Sequence, residues 1–373
     1  RVEYKGILIG DLIYDTYIRM IPGKYRPERD FNLFKYILLA IMNYKQASKV
    51  FDAHDVEYLV VADKCYLNHG ILYRVAVQRG IHTLLPVKEL KLINKNNIYS
   101  HIYHPEISLE EMSNELDKVD LDYEVETYFK ARFSGDIEQV DVLSSYKNKI
   151  MYSKKSLEEL LSLNPKKKNV IIMPHAFSDF PHIAEGLYSD YYVWLVTLLK
   201  IIRSVDNVNW LIKPHPTSYM FNENGVVENL LDELEVNNVK LIPSDMNTAS
   251  VKDFADVVLT VRGTAGLEFA TFGIPVVTAG EGCYSGYGID ISSLSVSDYE
   301  RKIRNLDNIP RLDDSITSTA KMVFYYLFIK RNARLTYLMH DIADNLGDFD
   351  MIFGNITDIH ELELFTDNVL HLE

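Results

Sequence analysis

Three short segments hold the residues best suited to chemistry. In "MPHAFSDFPH", Met173 to His182, a loop bracketed by Pro174 and Pro181 offers His175, Ser178, Asp179 and His182 close together. A carboxylate and an imidazole so placed suit a general base or a nucleophile, which makes Asp179 and His182 catalytic candidates. The same residues also suit an Asx turn made by Asp179 beside structural histidines. In "WLIKPHPTS", Trp210 to Ser218, Pro214 and Pro216 stop a strand and leave Lys213 and His215 at its carboxyl end, where both can meet a phosphate or a nucleobase. A histidine beside prolines is also a common structural device. In "VRGTAGLEF", the chain turns through Arg262 and Gly263 into a helix expected to carry Thr264 as its N-cap. The amides around Thr264 and Ala265, with the positive end of the helix dipole, suit a phosphate. Gly266 allows close approach of a ligand, and Glu268, one turn in, can accept hydrogen bonds from a ribose. A capped helix with a packing glycine and a surface glutamate fits these residues too.

The elements that must position these segments follow from hydrophobic periodicity. The first third alternates short apolar runs with helical patterns: a strand at Gly6 to Gly10, a helix from about Leu33, a strand at Tyr58 to Ala62, a helix through "GILYRVAVQRG" and a strand at Ile81 to Pro86. That order predicts a parallel sheet. Residues 109–163 read as mostly helical, and "NPKKKN" at Asn164 to Asn169, with Pro165 as breaker, reads as the hinge between two halves. The alternation then restarts with "NVIIMP", "VNWLIKPHP", "VKLIP", "DVVLTV" and "PVVTA" as strands separated by helices. These predict an α/β, doubly wound domain. Open sheets of this kind bind ligands outside the carboxyl ends of their strands, where all three segments fall. The stretch from Ser315 reads as helical and suited to packing across both halves.

Composition removes several classes. A formal net charge of -14 argues against a chain that wraps nucleic acid, because phosphate contacts need clustered Lys and Arg. Two distant cysteines, Cys65 and Cys283, make neither a disulfide framework nor a zinc site and fit a reducing compartment, so a cytoplasmic location is expected. No run of about 18 apolar residues suggests a membrane span. With no Asp-x-Asp pair at a strand end to hold a cation, neither a metal nor another cofactor is expected.

The "KPHP" segment, followed by "GTAGLEFATFGIPVVTAGEGCYSGYGID", resembles bacterial capsule and O-antigen glycosyltransferases, above all the CMP-Kdo-dependent β-Kdo transferases. These pair an HP motif with a small-residue turn, a "GxEA"-like helix, a "GxPVV" strand and a "Y-A-G-W-G" loop. The likeness covers Asn169 to Asp290. Before it, only "IGDLIYD" and "RFSGDIEQVDVLSSYKNK" match, and loosely. The resemblance implies a GT-B fold: an acceptor-binding Rossmann-like domain at 1–165, a nucleotide-sugar-binding one at 166–345 with a cleft between them, and a helical segment at 346–373. It implies that His215 and Pro216 contact the nucleotide, Thr264 and its neighbouring amides the phosphate, and Glu268 the ribose. It places Asp179 as the catalytic carboxylate of a retaining transfer. The chain departs from the pattern at Arg262-Gly263-Thr264, where a serine pair is common, and at Tyr287, where tryptophan is common. Arg262 can pair with the carboxylate of a 2-keto acid donor or make a structural ion pair.

The implied partners are a CMP-sugar donor and a glycan or glycolipid acceptor; for peripheral membrane contact at the inner face "MVFYYLFIKRNAR" is the one suggestive stretch, and core packing explains it at least as well. Asp11, Asp15 and Arg132 are acceptor-binding candidates, each better suited to a structural role. A CDP-glycerol-type phosphotransferase, a sialyltransferase-like enzyme, a sugar epimerase and a binding module are the competing readings.

Overall fold

The computed structural model describes residues 2–330 except 24, 26–29, 87–89, 106 and 138–139. The helical segment expected at 346–373, and any packing of it, lies outside the described residues. The chain forms two compact units. One takes the residues up to Ile13, Phe34–Tyr99 and those from Leu327; the other takes Tyr14–Leu33 and Ser100–Tyr326.

In the first unit Glu3–Tyr4 (β1) and Ile7–Leu8 (β2) make an antiparallel hairpin. Its turn residues Lys5 and Gly6 both have positive φ, the backbone whose twist suits a two-residue hairpin. Helix α1 (Gly10–Met20) starts here but belongs from Tyr14 on to the second unit, and α2 (Phe31–Ala53) returns to the first from Phe34, followed by β3 (Tyr58–Val60), α3 (Tyr66–Arg79), β4 (His82–Pro86) and β5 (Leu90–Ile93). β3 and β4 pair in parallel, and β5 returns antiparallel on β4. The expected parallel strand at Gly6 to Gly10 is therefore corrected. The hairpin turn ends at Gly6 and α1 starts at Gly10, which leaves two extended residues, and among the described residues these pair with β1.

The second unit opens with α4 (Leu109–Glu115), α5 (Leu121–Ser134), α6 (Val140–Tyr146) and α7 (Lys154–Leu160). Next come β6 (Asn169–Ile172), α8 (Tyr191–Ile202), β7 (Asn209–Ile212), α9 (Val226–Glu233), β8 (Val239–Leu241), α10 (Val251–Phe254), β9 (Val257–Thr260), α11 (Thr264–Ala270) and β10 (Val276–Thr278). Helices α12 (Val296–Ile303) and α13 (Asp314–Phe324) complete it. The five strands are parallel in the order β8-β7-β6-β9-β10. Helices cover both faces of such a sheet, so its central strands must be apolar on both. Val170, Ile171, Ile172, Leu211, Ile212, Val257, Val258 and Leu259 are all fully buried, each contributing about 1.5–3 kcal/mol by leaving water. The chain runs outward from β6 to β8, then restarts on the other side with β9. This reversal opens a crevice between the carboxyl ends of β6 and β9.

The boundary expected at residue 165 is not where the structure divides. Residues 100–165 belong to the second unit because an aromatic cluster ties them there: Phe129 lies 4.7 Å from Phe324 and 4.9 Å from Phe272, ring centre to ring centre. The "NPKKKN" hinge is corrected likewise. It is a turn inside this unit, with the Asn164 N–H bonded to the Asn209 side chain at 3.1 Å and the Asn209 amide returning to the Asn164 carbonyl at 2.9 Å. Among the described residues no helix is long and apolar enough to cross a membrane.

Candidate functional site

Strand ends β6, β7 and β9 deliver the three segments to one region of the second unit. His175, just past β6, joins them. Its Nε2 accepts the Arg262 N–H at 3.2 Å and lies 3.4 Å from the Thr260 hydroxyl, and its ring stacks on Tyr191 at 4.1 Å. A nitrogen that accepts an N–H carries no proton, so His175 holds its hydrogen on Nδ1. Burial, reinforced by His215, Arg262 and His101 nearby, pushes its pKa well below the usual histidine range. It is therefore a neutral spacer among cations. His215 has the opposite tautomer: Nδ1 accepts the Thr217 N–H at 3.4 Å and sits 2.9 Å from the Thr217 hydroxyl, so Nε2 carries the proton and can donate.

Beside His215 a cavity of about 430 Å³ opens at the ends of β7 and β8, lined by Lys213, His215, Pro216, Tyr219, Glu223 and Ser244 among others. Its size falls within the range of ligand pockets. Pro214 halts β7, so Lys213 remains at the strand end and is buried. Burial, with Lys149 close by, lowers the Lys213 ammonium to about 8, and its Nζ reaches the Met246 carbonyl at 3.4 Å.

The loop after β6 carries the second half of the arrangement. Asp15, fully buried on α1, takes His182 Nδ1 at 2.6 Å and its backbone N–H at 3.4 Å. A carboxylate on Nδ1 fixes the tautomer and leaves Nε2 as the basic nitrogen on a ring that is 31% exposed. Tyr14 sets its ring edge-on to His182 at 5.5 Å and donates to Asp190 at 2.7 Å. Asp190 in turn caps α8 by accepting the Val193 N–H. Helix α8 thus supports both histidines, His175 through Tyr191 and His182 through Asp190. Asp179 is exposed on the same loop, in a turn closed by its N–H to the Ala176 carbonyl. Glu223 braces that turn from behind: its buried carboxylate accepts the Phe177 N–H, the Ser178 N–H and the Ser178 hydroxyl at 2.7–2.8 Å. Burial raises its pKa against the pull of those bonds.

The segment after β9 differs from expectation in several places. Gly263, not Thr264, occupies the N-cap, with extended backbone and no side-chain cap; Thr264 is the first helical residue and is exposed, beside Ala265. Gly266 serves a protein neighbour rather than a ligand. A Cβ there would lie 2.1 Å from the Tyr284 hydroxyl, which donates to the Gly263 carbonyl at 3.0 Å. Glu268 is buried, not on the surface: Arg132 donates to its Oε1 at 2.8 Å and Tyr146 to its Oε2 at 3.3 Å. Both carboxylate oxygens are thereby occupied within the fold, and Arg132, expected to bind acceptor in the other half, is their buried partner in this unit. Asp11 is likewise committed to a bidentate pair with Arg74 in the first unit. Asp15, expected at the acceptor, holds His182.

Two residues with no signal in their local sequence join the site. Glu223 reaches it only through the fold. His101 comes with the segment that Tyr287 holds, through hydrogen bonds from its hydroxyl to the Pro105 and Ile107 carbonyls and a stack on His104 at 5.6 Å.

A doubly wound parallel sheet with His175, Lys213, His215 and Arg262 just past its strand ends defines a protein of the α/β class. The sequence matches the capsule polysaccharide biosynthesis protein family over residues 43–305, and the chain belongs to that family. The family expected from the "KPHP" and "GTAG" segments is thus borne out. Among solved structures, the β-Kdo 2,4-transferase KpsC of Thermosulfurimonas dismutans shares 15% identity over 70% of this chain and 78% of its own, with a TM-score of 0.40. The β-Kdo 2,7-transferase KpsC of the same organism shares 15% over 79% and 88%, at 0.38. A UDP-GlcNAc 2-epimerase from Neisseria meningitidis shares 13% over 82% and 83%, at 0.33. These are distant likenesses. No curated protein matches the sequence.

Proposed function

We propose that this chain is a GT-B glycosyltransferase of capsule synthesis that moves a sugar, Kdo from CMP-Kdo, onto a surface-polysaccharide acceptor. The observation that carries the reading is the convergence of the His175, His215 and Gly263 loops beside the cavity at Lys213, with an Asp15–His182 pair on one of those loops. Lys213 and the Nε2–H of His215 suit the phosphate of a nucleotide, and the cavity suits the nucleoside. Negative charge that builds on the departing phosphate is met by fixed donors, so no metal is required.

In the retaining form, the Asp179 carboxylate attacks the anomeric carbon and the C–O bond to CMP breaks, with the electron pair leaving on the phosphate. His182 Nε2 then removes the proton of the acceptor hydroxyl as its oxygen displaces Asp179, and Asp15 stabilises the resulting imidazolium. The acceptor is a glycan on a lipid carrier, met in the cytoplasm at the inner face of the membrane.

Thermal shift with CMP, CDP, UDP and GDP tests the donor class, because a ligand that binds the folded state raises its apparent stability. A selective rise with CMP, followed by CMP release from CMP-Kdo in the presence of acceptor glycan, is the expected result. A protein indifferent to all four nucleotides would remove the donor reading.

A further inference from the structure

Arg262 stands two residues past the end of β9, after Val261, and is 5% exposed. A guanidinium has five N–H bonds and no acceptor. Its Nη2 donates to the Glu185 carbonyl at 3.1 Å, whereas Nε and Nη1 are buried with no hydrogen-bond partner among the described residues. Its carbon lies 5.8 Å from the centre of the Tyr191 ring, which offers a π face but no formal charge. No ion pair to Arg262 occurs among the described residues. A buried cation without a counter-ion is costly, and among the described residues only the Glu185 carbonyl and the Tyr191 ring offset it.

The protein nonetheless makes room for this side chain. Gly186 and Gly280 face it from two loop segments that touch at an isolated bridge, and a Cβ on either would come within 2.9 Å of Nη2. His175 accepts the Arg262 backbone N–H through Nε2, and among the described residues no carboxylate is paired with the Arg262 side chain. A slot shaped for a guanidinium, with donors left unspent, is what an anion completes.

The geometry points to Arg262 as an oxyanion-binding residue, taking a carboxylate or phosphate oxygen of the ligand at the crevice between β6 and β9. The inference rests on the donor reading above for the ligand's identity, while the oxyanion chemistry comes from the side chain itself. Arginine suits the task because its planar fork matches carboxylate and phosphate, which a lysine ammonium does not.

The test uses the full chain as wild type, Arg262→Met and Arg262→Lys, each checked by circular dichroism and Tm, and titrated calorimetrically with inorganic phosphate, CMP and free Kdo. Wild type is expected to bind at least one of the three, Arg262→Met to lose at least tenfold for that probe, and Arg262→Lys to fall between. Loss confined to phosphate and CMP identifies the phosphate as the source; loss confined to Kdo identifies the carboxylate. Arg262→Met is also expected to keep or raise the Tm without ligand, since it removes an uncompensated buried charge; a merely structural arginine would lower it. Affinities in Arg262→Met within twofold of wild type overturn the proposal, as does a wild type that binds none of the probes. If Arg262→Met does not fold, Arg262→Lys binding as tightly as wild type overturns it. Arg262-dependent binding of phosphate or Kdo by a chain that binds no nucleotide would leave the inference standing and remove the donor reading instead.

Discussion

Replacing Glu268 with leucine removes the acceptor of two buried donors, the Arg132 guanidinium at 2.8 Å and the Tyr146 hydroxyl at 3.3 Å, in a pair whose side chains are 8% and 6% exposed. Breaking such a pair from one side strands the other charge and costs about 3–5 kcal/mol, roughly 10²- to 10⁴-fold in the unfolding equilibrium. Removing both partners strands no charge and leaves only the Tyr146 hydroxyl without its acceptor, so Arg132→Met with Glu268→Leu should lie within about 1–3 kcal/mol of wild type. The assay is urea unfolding followed by tryptophan fluorescence. The chain has two tryptophans, Trp194 and Trp210, and both lie in the core of the second unit with this pair. A single-mutant cost under about 1 kcal/mol, or a double mutant that loses the sum of both singles, would refute the buried-pair reasoning. Nucleotide affinity supplies the second arm. Because both carboxylate oxygens are held inside the fold, the double mutant should bind CMP as wild type does. A stable double mutant that has lost tenfold in CMP affinity would return Glu268 to the ribose.

Three further outcomes are expected. Asp179→Asn and His182→Ala should each lower kcat by at least about 10²-fold with CMP affinity within a few-fold of wild type, and Asp15→Asn should lower kcat by freeing the His182 tautomer; turnover retained in steady-state assays would withdraw the role of the residue concerned. Burial places the Lys213 ammonium at about 8 rather than its ordinary 10.5, so its positive charge is present below that pH and lost as pH rises through it. CMP affinity should therefore fall between pH 7 and 9 in wild type but not in Lys213→Met, and equal slopes by calorimetry would count against Lys213 at the phosphate. Transfer should persist in excess EDTA, since fixed cations face the leaving group, and activity lost to EDTA and restored by a divalent cation would overturn metal independence.

The second half of the fold was readable because its inner strands are buried on both faces and, with the half-exposed edge strand β8, appear as short apolar runs ended by Gly or Pro. All five fall where "NVII", "NWLI", "VKL", "VVLT" and "VVT" stand. The same signal fails for "GILIG", because periodicity over so few residues does not separate a sheet strand from one arm of a hairpin, and Lys5 and Gly6 settle it by turning. The domain boundary failed for another reason. Pro165 and three lysines look like a linker, yet what binds residues 109–160 to the second sheet is aromatic packing of Phe129 and Phe133 against Phe272 and Phe324, which leaves no local trace.

The site divides along the same line. Residues that act from a strand end, such as His175, Lys213, His215 and Arg262, are legible because a proline or glycine marks where the strand stops and topology dictates where its end points. Residues that act through a partner are not. Asp15 and His182 were both candidates, for different tasks, and only the fold brings them together across 167 positions; Arg132 and Glu268 meet across 136. In each case a buried charge had to find its opposite, and burial is a property of the packed chain rather than of any window in it. Arg262 is the exception that gives the pattern its use. Its Nε and Nη1 are buried and have no partner among the described residues, which is the observation from which we infer an anionic one in the ligand.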